Sequence, residues 1–502
     1  RLWSLSEESD VAAVGLVLRA APADSLAHAQ ELRDAIRLLR ARGKRVLCHL
    51  EDGAGAALYV CAAADRVLVS PAGGVRFAGL KTRRIYFASL LEKLGVRAEF
   101  VRIGAHKSAP EAFTERAATD VARDDAIDLL QQSERWFVGD LAADRHIEVP
   151  EVRRRLAAGP FLAEEARAAG FADALAFDDE VEKALSDLAG RRVELLDEPH
   201  SPRTPVRFGR QRSVALVYID GDIVDGRSRS IPLVGMDLAG SYTLAETLAE
   251  IRKDPNVGAV VLRVESPGGS SLASDVIWRE VALTARVKPV VASFGQVAAS
   301  GGYYVAAPAT RIFANPLSIT GSIGVFYGKA DASGLLSKIG VDVETYKTNP
   351  RADADSLFRP FSADERTELE RKVAQIYGLF VTRVAEGRKL SRDAVDAVAQ
   401  GRVWTGEQAR DRGLVDELGG IRQALAEARS LAGLRADAPI VELPRLRSSL
   451  LGKLLGVEGL QAPLAGVALP AGLTPLVRAV LPLAIHAGDV PLARLELEPV
   501  EP

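Results

Sequence analysis

Several residue types that mark special classes of protein are scarce in this chain of 502 residues. It has two cysteines, Cys48 and Cys61, and six histidines, and its aromatic content is 6%. Two cysteines cannot form a disulfide framework, so we expect buried thiols, with a single bridge or a reactive thiol as the alternatives. The sequence shows no metal-ligand spacing and no phosphate-binding lysine loop, so neither a metal nor another cofactor is expected.

An excess of charge of either sign is also missing. Lysine and arginine number 64, aspartate and glutamate 67, and the formal net charge is −3, which gives no reason to expect nucleic acid as a partner. No stretch of 18 uninterrupted apolar residues occurs, and no signal sequence follows Arg1, so no spanning helix is expected. The most apolar stretch, 461–488, contains four prolines and one arginine. We interpret it as a core segment or, alternatively, a membrane-surface patch.

What the sequence does contain is a long internal repeat. Residues 90–96 (LLEKLGV) match residues 335–341 (LLSKIGV) at an offset of 245, and residues 164–167 match residues 407–410 at an offset of 243. Matching positions keep this register over about 150 residues. The period is too long for a solenoid, so we interpret the chain as two copies of one domain.

Each copy alternates short apolar runs with amphipathic stretches, which indicates an α/β fold with parallel strands. In the second copy the pattern predicts strands at 214–219, 258–264, 289–294 and 311–314, and helices at 244–252 and 271–285. In the first copy, a strand at 14–18 aligns with 258–264, so that copy starts late. The predicted organisation is a first repeat (1–195), a proline-rich linker (196–212), a second repeat (213–435) and a tail (436–502) that belongs to neither.

Two glycine-rich junctions in the second copy carry the candidate chemistry. Ser-Pro-Gly-Gly-Ser at 266–270 leaves backbone N–H groups unobstructed at a helix start, which suits an oxyanion, although a plain turn is the simpler interpretation. Ser300, in Ala-Ser-Gly-Gly-Tyr, would project its hydroxyl at the carboxyl end of a strand, where open α/β sheets bind ligands. Alternatively, it caps the following helix. The charged residues nearby are interpreted as ordinary surface or turn residues: Arg263, Glu265 and Asp275.

A nucleophilic serine needs a base, and the second copy proper contains no histidine. Lysine is scarce, at 13 of the 64 basic residues. Lys107 of the first copy stands out in a Gly-Ala-His-Lys-Ser stretch, although a solvated surface lysine is the ordinary alternative. At the offset of 245, Ser300 corresponds to Gly55 and Lys107 to Ala352. Each copy therefore lacks the group that the other has, which indicates one site shared by both. Lys347 is the nearest rival base.

With these motifs, the chain resembles the long, two-domain form of the signal peptide peptidase A family, whose members are Ser-Lys proteases. The resemblance covers residues 1–435. It rests on the two junctions, on Asn-Pro at 315–316 with Thr-Gly-Ser-Ile-Gly at 320–324, and on His-Lys-Ser at 106–108. It implies tandem duplicated α/β domains of the Clp-protease/crotonase-like type.

The resemblance also implies the role of each site residue. Lysine has an ordinary pKa of about 10.4, so a catalytic lysine must have its pKa lowered by burial before it can act as a base. The resemblance implies that Ser300 is the nucleophile, Lys107 the general base and Ser322 a hydrogen-bond partner of the lysine. It also implies that Gly268 and Gly301 form the oxyanion hole and that Gly269 belongs to the adjoining substrate-binding edge.

The function implied is a serine endopeptidase that degrades cleaved signal peptides and other short apolar peptides at a membrane. A homotetramer at the bacterial inner membrane, facing the periplasm, is the corresponding expectation, with the family's amino-terminal anchor absent from this chain. Whether the Ser-Lys dyad forms within one subunit or between neighbours stays open. Two other classes are weighed beside it: a crotonase-type acyl-CoA enzyme, which shares the fold and the oxyanion hole, and a non-enzymatic peptide-binding scaffold.

Overall fold

The computed structural model describes residues 2–196, 211–231, 235–444, 491–495 and 500. Most of the predicted linker and the whole apolar stretch 461–488 lie outside these residues. The described residues form two α/β domains, one for each copy of the sequence repeat, and strands from both domains share a third sheet.

The first domain is built around a four-stranded parallel sheet of order β1-β2-β3-β7. Its strands are β1 (Ala13–Leu18), β2 (Arg45–Leu50), β3 (Arg66–Val69), β4 (Gly74–Val75), β5 (Arg97–Ile103), β6 (Phe161–Leu162) and β7 (Ala174–Leu175). Its helices are α1 (Leu2–Glu7), α2 (Leu26–Ala41), α3 (Gly55–Ala62), α4 (Ala88–Leu94), α5 (Glu111–Thr114), α6 (Asp120–Arg145), α7 (Val149–Leu156), α8 (Ala163–Ala168) and α9 (Val181–Ala189), with a 3₁₀ turn at Asp178–Glu180.

The second domain has a mostly parallel sheet of order β18-β16-β14-β12-β8-β20, and β15 and β19 extend it beside β14. Its strands are β8 (Ser213–Asp220), β9 (Asp222–Val224), β10 (Arg229–Ile231), β11 (Met236–Gly240), β12 (Val257–Ser266), β13 (Gly268–Ser270), β14 (Val290–Ala299), β15 (Arg311–Ala314), β16 (Ile319–Gly321), β17 (Val325–Asp331), β18 (Val403–Thr405), β19 (Glu417–Leu418), β20 (Ile440–Leu443) and β21 (Leu492–Arg494). Its helices are α10 (Ser241–Lys253), α11 (Ser271–Ala285), α12 (Gly301–Ala306), α13 (Ser333–Lys338), α14 (Ala363–Arg388), α15 (Arg392–Val398), α16 (Gly406–Asp411) and α17 (Ile421–Leu431).

The two domains repeat the same elements at the offsets read from the sequence. Strand β3 and strand β15 differ by 245 at both ends, and helices α6 and α14 differ by 243 at both ends. The sheet order β1-β2-β3-β7 corresponds to β12-β14-β15-β19. The predicted fold class, a tandem duplicated α/β domain with parallel sheets, is therefore confirmed. The predicted strands of the second copy are all present.

The central strands owe their position to continuous apolar runs. In β12, nine of the ten residues are buried, and the strand pairs in parallel with β8 and β14. A strand that is covered on both faces is apolar along most of its length, which explains the run from Val257 to Leu262. The helix that follows starts at a polar cap: the Ser270 hydroxyl accepts from the Ala273 N–H at the start of α11.

A third sheet joins the two domains, in the order β10-β11-β9-β13-β21-β17-β5. Strand β5 of the first domain lies antiparallel to β17 of the second, with seven residue pairs from Arg97↔Asp331 to Ile103↔Val325. The predicted tail supplies β21 to this sheet, and it supplies β20 to the edge of the second domain's own sheet, beside β8. The described parts of the tail thus join the sheets of the second domain.

Polar contacts between the domains involve two residues that were expected at the surface. Arg263 is buried and its guanidinium lies 2.6 Å from the Glu31 carboxylate. Glu265 accepts from His28 Nε2 at 2.6 Å and from the Gln296 N–H at 2.8 Å. The expectation for Arg263 and Glu265 is therefore wrong, because both are needed to pair with charges on α2 of the other domain.

Cys48 and Cys61 form a disulfide between β2 and α3, with both residues fully buried. The favoured expectation of two free thiols is wrong, since the fold brings the two Cα atoms to 5.3 Å, which is within the range of disulfides. In the part of the chain that the structure describes, no helix is both long and apolar enough to cross a membrane. The same residues contain no group of three or more metal-ligating side chains that could hold an ion.

Candidate active site

Ser300 lies at the sharp junction between β14 and α12. It has φ 53° and ψ −115°, a conformation that residues other than glycine rarely adopt and that is typical of strained functional positions. Its N–H donates to the Gly321 carbonyl at 2.8 Å. Its side chain makes no capping hydrogen bond to α12, so the alternative of a simple helix cap is wrong. The hydroxyl is fully buried and is directed elsewhere.

The partner of the Ser300 hydroxyl is Lys107. This lysine follows β5 in the first domain and is 1% exposed. Its Nζ donates to Ser300 Oγ at 2.9 Å, to Ser322 Oγ at 2.9 Å and to the Ser322 carbonyl at 3.2 Å. The three predicted residues meet within one chain. The alternative of a solvated surface lysine is wrong.

Burial and a neighbouring positive charge change the acid–base behaviour of Lys107. The loss of hydration lowers the pKa of its amine well below the ordinary value, and the nearby guanidinium of Arg494 lowers it further. A buried ammonium without a carboxylate partner is costly, so the neutral amine is favoured. A neutral amine 2.9 Å from a hydroxyl can accept its proton.

Gly268 and Gly301 lie next to each other beside Ser300. A β-carbon on Gly268 would lie 2.7 Å from the Gly301 nitrogen, and Gly268 has φ +108°. Only glycine allows this backbone to approach so closely in that conformation. The Gly268 N–H is 3.2 Å from Ser266 Oγ. Gly269 pairs with Ile223 of β9 on one side and with β21 on the other.

A family model matches the chain twice, once in each domain. The model is described as peptidase family S49, and it matches residues 39–192 and 282–435. The chain belongs to peptidase family S49. The two matched segments correspond to the two copies found in the sequence and in the fold, so the family domain is present twice.

Three curated relatives of this S49 family member have peptidase names. "Protease 4" of Salmonella typhi is 35% identical over 420 residues, covering 80% of this chain and 66% of that protein. "Serine protease SPPA, chloroplastic" of Arabidopsis thaliana is 30% identical, covering 85% of this chain and 64% of that protein. "Putative signal peptide peptidase SppA" of Enterococcus faecium is 38% identical, covering 43% and 64%. The chain thus spans about two thirds of the length of these relatives.

The rival base lies in a different environment in this S49 chain. Lys347 is exposed, and its amine binds the Pro350 carbonyl at 3.0 Å and the Asp353 carboxylate at 2.8 Å. Those bonds hold it within its own loop. Of the two lysines considered from the sequence, the structure brings only Lys107 to Ser300.

Sequence reasoning missed the residues that position the lysine. Gly401, between α15 and β18, has φ +79°, and a β-carbon there would lie 2.5 Å from the Lys107 nitrogen. The His106 N–H donates to the Gln400 carbonyl, and His106 Nδ1 lies 2.9 Å from the Asp125 carboxylate on α6. The lysine loop is therefore clamped between elements of both domains. No sequence signal marks these contacts, because the partners are about 20 to 300 residues away along the chain.

Proposed function

We propose that the protein is a serine endopeptidase that uses Ser300 as nucleophile and Lys107 as general base. The observation that carries this proposal is the 2.9 Å contact between a fully buried lysine amine and the hydroxyl of a strained serine. Membership of peptidase family S49 supports the reaction type. A crotonase-type enzyme would not need a serine and a lysine from different repeats in contact.

Each residue then has one task in the reaction. The neutral amine of Lys107 takes the proton of Ser300 Oγ as the oxygen attacks the peptide carbonyl, and the resulting ammonium protonates the departing amine. Ser322 holds the lysine in position through its hydroxyl and its carbonyl. The N–H groups of Gly268 and Gly301 stabilise the developing oxyanion, each worth about 2.7–4 kcal/mol. Water then hydrolyses the acyl-enzyme with the same lysine as base.

For the substrate we propose cleaved signal peptides and other short apolar peptides. The name of the Enterococcus faecium relative supports this class. We further infer a homotetramer at the bacterial inner membrane that faces the periplasm. The bacterial relatives support a bacterial source, and the Cys48–Cys61 disulfide supports an oxidising compartment.

The test is hydrolysis of a fluorogenic apolar peptide by the wild type and by the variants Ser300→Ala and Lys107→Ala. Both variants should lose at least about 10³-fold in kcat, because nucleophile and base act as a unit. Ser430→Ala on α17 and Lys253→Ala on α10, both exposed, are the matched controls and should keep wild-type rates. Equal activity, or equal inactivity, of the wild type and the two site variants would contradict the dyad.

The pH–rate profile tests the base separately from the nucleophile. The amine must be neutral to act, so the wild-type rate should rise with pH as Lys107 loses its proton. Because burial lowers the pKa of Lys107, the rise should be complete well below about pH 10.4, the ordinary pKa of lysine. If the rate still increases tenfold per pH unit near pH 10.4, the base is an ordinary exposed amine.

A further inference from the structure

Two buried carboxylates lie beside the loop that contains Lys107. Glu111 is 3% exposed and Asp125 is 5% exposed. Among the residues that the structure describes, the lysine amine donates to Ser300 and Ser322 and to no carboxylate. A carboxylate in contact with the amine would favour the ammonium and raise its pKa. A lysine that must be neutral is therefore better held through groups that stand between it and the carboxylates.

The first carboxylate, Glu111, is connected to the backbone of the lysine. Arg102 Nη1 donates to the Lys107 carbonyl at 2.9 Å and to Glu111 Oε1 at 3.0 Å. Glu111 also accepts from the Thr119 N–H at 3.2 Å and from Thr119 Oγ1 at 3.0 Å. Because Thr119 is the N-cap of α6, Glu111 joins the lysine loop to the start of that helix.

The second carboxylate, Asp125, lies on α6 itself. His106 Nδ1 is 3.1 Å and 2.9 Å from its two oxygens, and since an ionised carboxylate only accepts, this nitrogen is the donor. Arg402 Nε lies 3.6 Å from Asp125 Oδ1. The backbone carbonyl of Arg402 accepts from the Ser322 N–H at 2.7 Å. Asp125 therefore joins the residue before the lysine to the segment that fixes Ser322.

These hydrogen bonds form a closed ring around the lysine loop. The ring runs from the Lys107 carbonyl through Arg102 and Glu111 to α6. It returns from α6 through Asp125 and His106, the residue directly before the lysine. A loop that is fixed on both sides of one residue holds that residue's side chain in a narrow range of positions. Precision of this kind matters to a base, because a displacement of about 1 Å can cost about 10²-fold in rate.

We propose that Glu111 and Asp125 are positioning residues of the peptidase. Glu111 acts through Arg102 and Asp125 acts through His106, so that Lys107 is fixed beside the nucleophile while carboxylate charge stays off its amine. The proposal rests on the peptidase activity proposed above. Because both carboxylates act on the base rather than on the peptide, their loss should lower kcat and leave KM nearly unchanged.

Two substitutions at position 106 separate the hydrogen bond from the bulk of the side chain. Asparagine and leucine have nearly the same shape, but only His106→Asn keeps a donor that can bind Asp125. With a fluorogenic apolar peptide, we expect kcat to fall about 10- to 100-fold in His106→Leu, with KM within about twofold of the wild-type value. In His106→Asn, kcat should stay within about threefold of the wild-type value. Equal losses in both variants, or no loss in His106→Leu, would overturn the role of Asp125.

The pH–rate profile is a readout that a loss of stability alone does not move. Two carboxylates and four basic side chains surround the lysine loop: Glu111, Asp125, Arg102, His106, Arg402 and Arg494. Removing the basic partner of either carboxylate leaves its negative charge less compensated, which raises the pKa of the Lys107 amine. The rise of kcat with pH should then move to higher pH.

One substitution for each carboxylate makes this measurement. In His106→Leu and in Arg102→Met, we expect the pH–rate profile to move up by at least about half a pH unit. Arg154→Met on α7, at an exposed position, is the matched control for the loss of a guanidinium and should keep the wild-type profile. An unshifted profile in either variant would overturn the role of the carboxylate that has lost its partner.

Thermal unfolding tests the same positions without any use of activity. Lys107→Met is added to the wild type, to His106→Leu and to Arg102→Met, and the difference in thermal midpoint that it causes is followed from about pH 7 to pH 10. This difference varies with pH only as far as folding lowers the pKa of Lys107. It should therefore vary less in the two variants than in the wild type.

The two measurements separate the failure of this proposal from the failure of the peptidase. An active wild type whose pH–rate profile and midpoint differences match those of both variants would overturn the positioning roles alone. A wild type that is inactive on every peptide would contradict the peptidase, and the midpoint differences would then decide the positioning of Lys107. The same variation of these differences in all three chains would overturn it.

Discussion

Burying Lys107 costs the folded protein free energy wherever the amine would otherwise be protonated. Burial, and then the charge of Arg494, lowers the pKa of this amine, so between the folded and unfolded pKa values the unfolded chain binds one more proton. The free energy of unfolding must therefore rise with pH in that range. The fold tolerates this cost at Lys107, where a neutral amine contacts Ser300.

Replacing Lys107 with methionine, an apolar residue of similar length, isolates the dependence of stability on the protonation of this amine. Between about pH 7 and pH 10, the thermal midpoint of the wild type should rise relative to that of Lys107→Met, because only the wild type carries the buried amine. Lys253→Met, at an exposed position, should show no such pH-dependent difference. A constant difference between wild type and Lys107→Met over the whole range would mean that the pKa of Lys107 is not lowered.

Ser322 should act through the lysine rather than on the substrate. It has φ 50° and its N–H is held by the Arg402 carbonyl at 2.7 Å, so its two oxygens are fixed against the Lys107 amine. In Ser322→Ala we expect kcat to fall about 10- to 100-fold, in line with one lost hydrogen bond to a group that becomes charged. KM should stay within about twofold of the wild-type value, since the hydroxyl contacts the lysine rather than the peptide. The measurement is steady-state kinetics at a pH where Lys107 is neutral. If Ser322 bound the substrate, the substitution would raise KM instead.

At the level of single residues, the sequence predicts the reactive groups better than the residues that position them. Ser300 and Lys107 are marked because the repeat lets each be compared with an unreactive counterpart, Gly55 and Ala352. Gly401 has no such mark, because its requirement for a positive φ and for open space arises only when the Lys107 loop lies against it.

At the level of elements, the oxyanion hole depends on the backbone of one short strand. Gly268→Ala would place a methyl group 2.7 Å from the Gly301 nitrogen and so fill the hole. We expect kcat to fall about 10²- to 10³-fold, the usual effect of losing one oxyanion donor. Gly433→Ala is the control, since Gly433 also has a positive φ, of +61°, but nothing lies within 4 Å of its β-carbon position. It should lose about 1 kcal/mol of stability and no activity.

Strand β12 and its neighbours follow directly from local patterns, because a buried parallel strand is apolar along most of its length. The pairing of β5 with β17 and the insertion of β21 do not, because each joins segments more than 160 residues apart along the chain. Their register is set by the tertiary fold and not by local composition. The ion pair between Asp222 and Arg494 is likewise not visible in the sequence, because the two residues are 272 positions apart.

At the scale of the whole molecule, the repeat predicts a contact between two copies of the chain. That contact would repeat the internal pairing of β5 with β17. Adding 245 to β5 gives residues 342–348, and subtracting 245 from β17 gives residues 80–86. Neither segment belongs to a named strand. Residues 342–348 are exposed throughout. In the internal pairing, Glu99 lies opposite Lys329.

For the proposed homotetramer we predict that this shifted register places Glu344 opposite Arg84 of the next copy, which corresponds to the pair Glu99 and Lys329 of the internal interface. A head-to-tail contact of this kind uses two different surfaces and forms a ring when its rotation closes.

Charge reversal at this register is the decisive test of the assembly. By sedimentation velocity, the wild type should be a tetramer, whereas Glu344→Arg and Arg84→Glu should each dissociate at least about 10-fold more readily, because like charges then face each other across the strands. The double variant should regain the tetramer, since it restores an opposite pair in reversed order. Glu182→Arg, an exposed substitution on α9, makes the same change of charge away from both segments and should leave the tetramer intact. A monomeric wild type would refute the tetramer. A tetramer that Glu344→Arg does not weaken, or a double variant no more stable than the single ones, would refute this register.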